Sequence, residues 1–324
     1  MFKKILFATN ASPACDAAAK IAFELAEKYE SQLILFHVFA EPSHGSGAFV
    51  TDYVTGEKAE VGPDYHEWVK EEMKTTYDPL IQKHGEPGYE AIVGIPSTEI
   101  LRYARKNEVD CIIMGAHAKQ DDPAATRFRG IVGATMQKVA LWAKCPVLII
   151  SRPCETCFWY FNQIIFGTDF SKASMSAFQF AYKMADHIGC KLHLFHALNI
   201  ETSQAGVAPG QKSIESHIKE AKAKIEDLYV SQMEDFDNYE ISVWEGVPYV
   251  ELLKFARETS GDLIVMAHHT KDVDMEEAVM GSTMEQVVLR SACPVPASAN
   301  QIGCKLTLGR GRNKRVQDRP DHRR

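Results

Sequence analysis

Residues 5–12 read Ile5-Leu6-Phe7-Ala8-Thr9-Asn10-Ala11-Ser12, and residues 164–171 read Ile164-Ile165-Phe166-Gly167-Thr168-Asp169-Phe170-Ser171. Each is a short apolar run that turns polar and ends on a serine, the pattern of a buried strand running into a helix start. The two lie 159 residues apart, and the same offset matches Leu35-Phe36-His37 to Leu194-Phe195-His196. Further along, Gly94-Ile95-Pro96 matches Gly246-Val247-Pro248, and Asp110-Cys111-Ile112-Ile113-Met114 matches Asp262-Leu263-Ile264-Val265-Met266. Gly133-Ala134-Thr135-Met136 then matches Gly281-Ser282-Thr283-Met284, and Cys145-Pro146-Val147 matches Cys293-Pro294-Val295. Matches in one unbroken order mean two copies of one domain. They meet near Ser151–Phe161, where Pro153, Cys154 and Cys157 interrupt the pattern.

Within each copy, short apolar runs alternate with stretches of three-and-four spacing, the mark of repeated β-α-β units. Copy one starts with a strand over Ile5–Thr9, Ser12 as N-cap, Pro13 at the first helical position and a helix over Ala14–Tyr29. Copy two repeats this with Ser171 as cap and Gly189 as terminator. Strands are expected at 33–38 and 191–197, and polar excursions over about 41–64 and 199–212 lead to helices near 65–84 and 213–233. Strands at 90–93 and 240–244, short helices at 97–105 and 249–257, and the most apolar strands, 111–114 and 263–266, come next. Double-sided apolarity places that last pair at the centre of a parallel sheet. Helices at 133–143 and 281–291 lead to final strands at 147–150 and 295–298; Pro296 removes a ladder donor and predicts that the second is short or an edge. The expected fold is α/β: two tandem, doubly wound, five-stranded parallel sheets. The boundaries read as 1–152 for domain one, 153–161 for a linker, 162–299 for domain two and 300–324 for a basic, disordered tail.

Composition agrees with two domains. The chain has 324 residues, 45% hydrophobic and 24% charged, about twice the common domain length. No apolar run approaches the roughly 18–20 residues that cross a bilayer. Lys3-Lys4 before Ile5-Leu6-Phe7-Ala8 imitates an export signal, but its apolar core is too short, and the same string recurs inside the chain. The expected location is cytoplasmic, where eight irregularly spaced cysteines would stay reduced. The net charge of −7 is uneven: residues 301–324 carry eight Lys or Arg against Asp318 and Asp321, leaving −13 on the first 300 residues. An acidic body argues against nucleic-acid binding except through the tail.

In a doubly wound sheet the ligand crevice lies beyond the carboxyl ends of the strands, where strand order reverses. In copy two the candidates are Asp169 and Ser171 after the first strand, Ala197 at the end of the second, and Ala267, His269 and Thr270 after the fourth. Gly281, Ser282 and Thr283 follow at a helix start. The copy-one counterparts are Asn10 and Ser12, Val38, Gly115 and His117, then Gly133, Ala134 and Thr135. A glycine at a helix N-terminus admits an anion to free N–H groups, and a hydroxyl adds a donor.

These residues resemble the universal stress protein family in its tandem two-domain form, over about residues 1–296. The features that carry the resemblance are Asp169-Phe170-Ser171, Met114-Gly115-Ala116-His117, Gly281-Ser282 and the two Cys-Pro-Val strand openings. The resemblance implies a Rossmann-like fold of the adenine nucleotide alpha hydrolase-like kind, with strand order 3-2-1-4-5. It also implies an internal pseudo-dimer of the two domains and, in many members, ATP held through Gly-x-x-Gly, about nine residues, then Gly-Ser or Gly-Thr. Both copies depart from that motif. Copy one keeps Gly115 but has Ala118, Ala134, Asn10 and a loop four residues longer; copy two has Asp169 and Gly281 but Ala267 and Thr270 in place of the loop glycines. A Cβ at either position narrows the approach to phosphates, so copy two is the expected site if ATP binds.

The plainer readings make Asp169 a helix cap beside Ser171 and Gly281-Ser282 a simple helix start. His117, His268 and His269 lack a matching carboxylate spacing, so no metal is expected. Cys154-Glu155-Thr156-Cys157 has redox spacing but lies in the linker. Without an activated nucleophile or paired acid and base, the chain does not read as an enzyme beyond slow, incidental ATP hydrolysis. The function expected is stress response by nucleotide sensing or through an unknown protein partner, with a homodimer and no membrane contact among the readings. The alternatives are a nucleotide-free interaction scaffold and a thiol or metal sensor using Cys154 and Cys157.

Overall fold

The structure, a computed structural model, describes residues 2–12, 15–39, 49–51, 58–60, 65–116, 133–151, 161–199, 210–267 and 281–296. The linker cysteines, the loops that hold His117, Ala118, His268, His269 and Thr270, and the C-terminal tail lie outside the described residues.

Copy one comprises β1 (Lys4–Ala8), α1 (Asp16–Lys28), β2 (Gln32–Phe39), β3 (Phe49–Thr51), β4 (Lys58–Glu60), α2 (Tyr65–His84), β5 (Gly88–Val93), α3 (Pro96–Lys106), β6 (Cys111–Gly115), α4 (Ala134–Trp142) and β7 (Val147–Ile150). Copy two comprises β8 (Gln163–Gly167), α5 (Lys172–Ile188), β9 (Lys191–Leu198), α6 (Gln211–Leu228), β10 (Tyr239–Glu245), α7 (Pro248–Glu258), β11 (Leu263–Met266), α8 (Ser282–Arg290) and β12 (Val295–Pro296). The main strands run β5-β2-β1-β6-β7 in copy one and β10-β9-β8-β11 in copy two, all parallel. Copy one has the full 3-2-1-4-5 order, and copy two its first four members, 3-2-1-4. The small antiparallel pair β3 and β4 falls inside what reads in the sequence as an irregular excursion.

Period-two alternation divides the core. Ile5 and Phe7 face the layer of α1, α2, α5 and α6, whereas Leu6 and Ala8 face α3, α4, α7 and α8. Each apolar cluster contains residues of both copies. Below the sheets, the Asp110 carboxylate accepts from the Lys3 and Lys4 N–H groups at 2.8 and 2.9 Å, and Asp262 from Asn162 and Gln163 at 2.7 and 3.0 Å. The repeated aspartates therefore tie each first strand to each fourth strand.

Two expectations need correction. Ser12 does not cap α1: the N-cap is Cys15, whose N–H donates to the Ser12 carbonyl at 2.8 Å. The cause lies upstream, where Ala11 sits in the left-handed region at φ 57° and the Ser12 N–H turns back to Asn10 Oδ1. Copy two does follow the sequence reading, with the Ser171 hydroxyl accepting from the Ser174 N–H at 3.2 Å and Gly189 closing α5 at φ 77°.

The second correction concerns the expected five-stranded parallel sheet of copy two, whose main sheet has four strands. β12 is short and stands at the end of the six-stranded sheet, as Pro296 predicts, but that sheet is copy one's: Val295 pairs with Ile149 and Pro296 with Leu148, antiparallel, so the last strand of copy two joins the sheet of copy one. The Ile264 N–H donates to the Pro294 carbonyl at 3.1 Å, as the Ile112 N–H does to Pro146 at 2.9 Å. Alternation then turns Pro296, like Pro294, toward β11 and Val295 toward β7. The missing donor of Pro296 therefore falls on the β11 side, and the joint between copies keeps its bonds. The Ser151 hydroxyl adds a 2.7 Å bond to the Ser291 carbonyl across the same joint.

The turn before α7 places Gly246 at φ 137°, and a Cβ there would lie 2.9 Å from Glu251 Cγ. Gly246→Ala is expected to lower stability by more than about 1 kcal/mol, measurable as a fall in denaturant midpoint, because a strained φ and a close contact act together. None of the described helices is long and apolar enough to cross a membrane.

Candidate functional site

The first strand of each copy ends in one construction built twice. In copy two the Thr168 hydroxyl, buried under the sheet end, lies 2.6 Å from the Tyr229 hydroxyl and accepts from the Phe170 N–H at 2.9 Å. His196 Nδ1 lies 2.8 Å from the Thr168 carbonyl, and since a carbonyl only accepts, that nitrogen carries the proton. In copy one Thr9 pairs with Tyr77, the Ala11 N–H donates to the Thr9 hydroxyl at 2.9 Å, and His37 Nδ1 reaches the Thr9 carbonyl at 2.8 Å. Burial pulls both histidines below their usual range against the help of that bond, so both rings are neutral near pH 7. Ala11 and Phe170 occupy the left-handed region at φ 57° and 63°, where the N–H of each donates to the threonine hydroxyl.

The copies diverge at the next residue. Asp169 Oδ1 accepts from the Ser171 N–H at 3.0 Å and from the Ser174 hydroxyl at 2.6 Å. Burial by itself pushes this carboxyl up, but the bonds from Ser171 and Ser174 outweigh it and hold the carboxyl below its ordinary value. In copy one Asn10 Oδ1 takes the same two positions, accepting from the Ser12 N–H and the Cys15 thiol, both at 3.2 Å. The geometry is preserved and the charge is gone.

Around Asp169 opens a cleft of about 190 Å³. It is lined by Gly167 at the end of β8 with Thr168 and Asp169 just after it, by Met266 at the end of β11 with Ala267 just after it, by Phe195 and Ala197 of β9, and by Pro248 and Leu252 of α7. Gly281, Ser282, Thr283 and Met284 bring the N-terminus of α8 to the rim. Gly281 is the N-cap, at φ −61° and ψ 144°, and its side-chain-free position leaves the first N–H groups of α8 open. Gly167 is needed for the close approach of Leu252, whose Cδ2 would lie 3.2 Å from an added Cβ; copy one has Ala8 there.

Of the copy-two residues expected from the sequence, Asp169, Ala197, Ala267, Gly281, Ser282 and Thr283 come together on this cleft. Ser171 serves as the α5 cap rather than a wall, and His269 and Thr270 lie outside the described residues. In copy one, Gly115 is the buried last residue of β6 and pairs with Ile150, Gly133 caps α4, and Val38 is the half-buried penultimate residue of β2. Ala134 and Thr135 open α4. The sequence reading missed Ser174, Thr168, Tyr229, Phe195 and Leu252. The repeated blocks carry a signal for Thr168 and Phe195, and Tyr229 falls at the 152-residue offset from Tyr77. Ser174 has no such signal, because its partner is Cys15.

The remaining chemistry is sparse. Among the described residues no group of three or more metal-ligating side chains converges. Cys15, Cys111, Cys145, Cys190 and Cys293 are buried, and burial pushes the Cys190 thiol to about 12 and the Cys293 thiol to about 11. Such thiols stay protonated and unreactive at neutral pH.

Comparison with known proteins bears on this arrangement. The model of the universal stress protein family matches residues 1–151 and again 161–296. Universal stress protein MJ0531 of Methanocaldococcus jannaschii is 25% identical over 159 residues, which cover 47% of this chain and 84% of that protein. The crystal structure of a universal stress protein from Archaeoglobus fulgidus superposes with a TM-score of 0.59 at 19% identity, covering 92% of this chain and 98% of that one. A universal stress protein structure from Pseudomonas aeruginosa gives 0.56 at 18% identity, covering 94% and 97%. These last two establish the likeness of fold.

Proposed function

The chain belongs to the universal stress protein family, and from that premise we propose that it acts in stress response by sensing an adenine nucleotide or nucleoside in the copy-two cleft, by binding rather than by catalysis. The observation that carries this reading is the convergence of an ionised Asp169 and the open N-terminus of α8 on one concave, largely apolar cleft at the switch point between β8 and β11. Asp169 would accept from ribose hydroxyls or the exocyclic amine, the apolar walls would cover the base, and Gly281-Ser282 would receive phosphate. Copy one would serve as scaffold, since Asn10 offers no charge. Both copies would act as an internal pair, joined through β7 and β12.

The test is mass analysis of any small molecule released on denaturation, followed by thermal shift with ATP. A melting temperature that rises with ligand concentration, as mass action requires, supports the reading. No released nucleotide and no shift would turn attention to a nucleotide-free scaffold that works through a protein partner.

Gly281→Asp separates the copies. Aspartate is favoured at an N-cap, so the variant should fold, while its charge at the mouth of α8 should weaken ATP several-fold, the effect of about 1 kcal/mol at a helix end. Gly133→Asp is the matched change at the α4 cap and should leave ATP binding unchanged. Gly115 is unsuitable as that control, because it is buried within β6.

A further inference from the structure

The cleft is poor in the groups that usually bind a polyphosphate. Among the described residues that line it there is no Lys, Arg or His, and Asp169 is the only ionisable side chain of that described lining. The Thr168 hydroxyl is engaged by Tyr229 and that of Ser174 by Asp169. What remains for a ligand is the free oxygen of a carboxylate, the hydroxyls of Ser282 and Thr283, and the open N–H groups of α8. A helix terminus presents roughly half a positive charge, which does not offset a full carboxylate charge in the same cleft.

We infer that the copy-two cleft selects its ligand by the hydrogen-bond donors the ligand brings to Asp169, and holds an uncharged, amine- and diol-bearing nucleoside at least as tightly as the corresponding triphosphate. This rests on the adenine-site reading above and narrows it to a charge class. Ser174 and the Ser171 N–H both bind Oδ1, which leaves Oδ2 as the acceptor for such a donor. Each added phosphate brings negative charge into a cleft that already holds one, with hydroxyls and N–H groups as its compensation. Hydrogen bonds to a charged acceptor are the stronger kind, so the nucleoside end dominates recognition.

Titration calorimetry on the full chain tests this with adenosine, AMP and ATP, without divalent cations, at low and at moderate salt, and with Asp169→Asn as the site-specific variant. The expected result is adenosine binding as tightly as ATP or tighter, ATP binding that strengthens as salt screens the repulsion, and adenosine binding about 10- to 100-fold weaker in Asp169→Asn. ATP at least tenfold tighter than adenosine and weakening with salt would overturn the inference while leaving the adenine site standing. Adenosine binding unchanged by Asp169→Asn would also overturn it. Binding by none of the three would remove both the inference and the reading beneath it.

Discussion

Val295→Asp is expected to lower the thermal and denaturant midpoints of the whole chain, with a loss above about 3 kcal/mol for a buried, unpaired charge. Val295 is fully buried, between β7 on one side and β11 on the other, and its backbone carries the antiparallel contact with Ile149 that joins the copies. A carboxylate there would meet the apolar cluster of Val147, Ile149 and the α8 side chains, with no charged partner among the described residues of that cluster. The joint should fail before either sheet does, so unfolding that is one cooperative event in the parent should separate into two. Val295→Ala should show a smaller loss and keep one transition. A single transition at an unchanged midpoint in Val295→Asp would mean that the copies are held together elsewhere.

Asp169→Asn is expected to weaken adenosine about 10- to 100-fold, the range for losing a hydrogen bond to a charged group at about 1.5–3 kcal/mol. Stability should change little, because copy one already shows that asparagine at this position accepts the same two bonds, from Ser12 and Cys15. The pH dependence follows from the sign of the shift. The Asp169 carboxyl lies below its ordinary value of 3.8 in the folded protein, so its ionised form persists on acidification past the point where an unfolded carboxylate takes up a proton. Its contribution to stability is complete above that ordinary value and is lost as pH falls through the folded one. Adenosine binding should follow the same course, flat from neutral pH down into the carboxylate range and falling below it. Binding that declines between pH 7 and 5 would point to a histidine and against Asp169. Calorimetry across that range decides between them.

Much of this site was legible because its members stand at strand ends. Asp169, Ala197 and Ala267 each follow an apolar run, and Gly281 stands where a helix period begins, so a sheet rule locates them without coordinates. Ser174 was not legible: it lies on the first turn of α5, reads as one more polar helix residue, and acquires meaning only because the left-handed Phe170 turns Asp169 back toward it. Leu252 and Phe195 read as core, which they are, and the sequence does not say that one edge of that core is open. Ser12 was misread because the cap rule is local, whereas the turn at Ala11 answers to the buried Thr9 hydroxyl.

The amino-acid sequence by itself determined the two copies, their β-α-β order, the strands that lie at the centre of each sheet, and the switch point at which a ligand would enter. These follow from repetition and from periods of two and of three to four, which are set by neighbours along the chain. Only the tertiary structure decided that β12 crosses to the other sheet, that the missing donor of Pro296 falls away from the joint, and that Asp169 is held ionised while Asn10 is its neutral double. Strand pairing and charge depend on groups brought together from distant parts of the chain, and the pattern along one strand does not say which partner will lie against it.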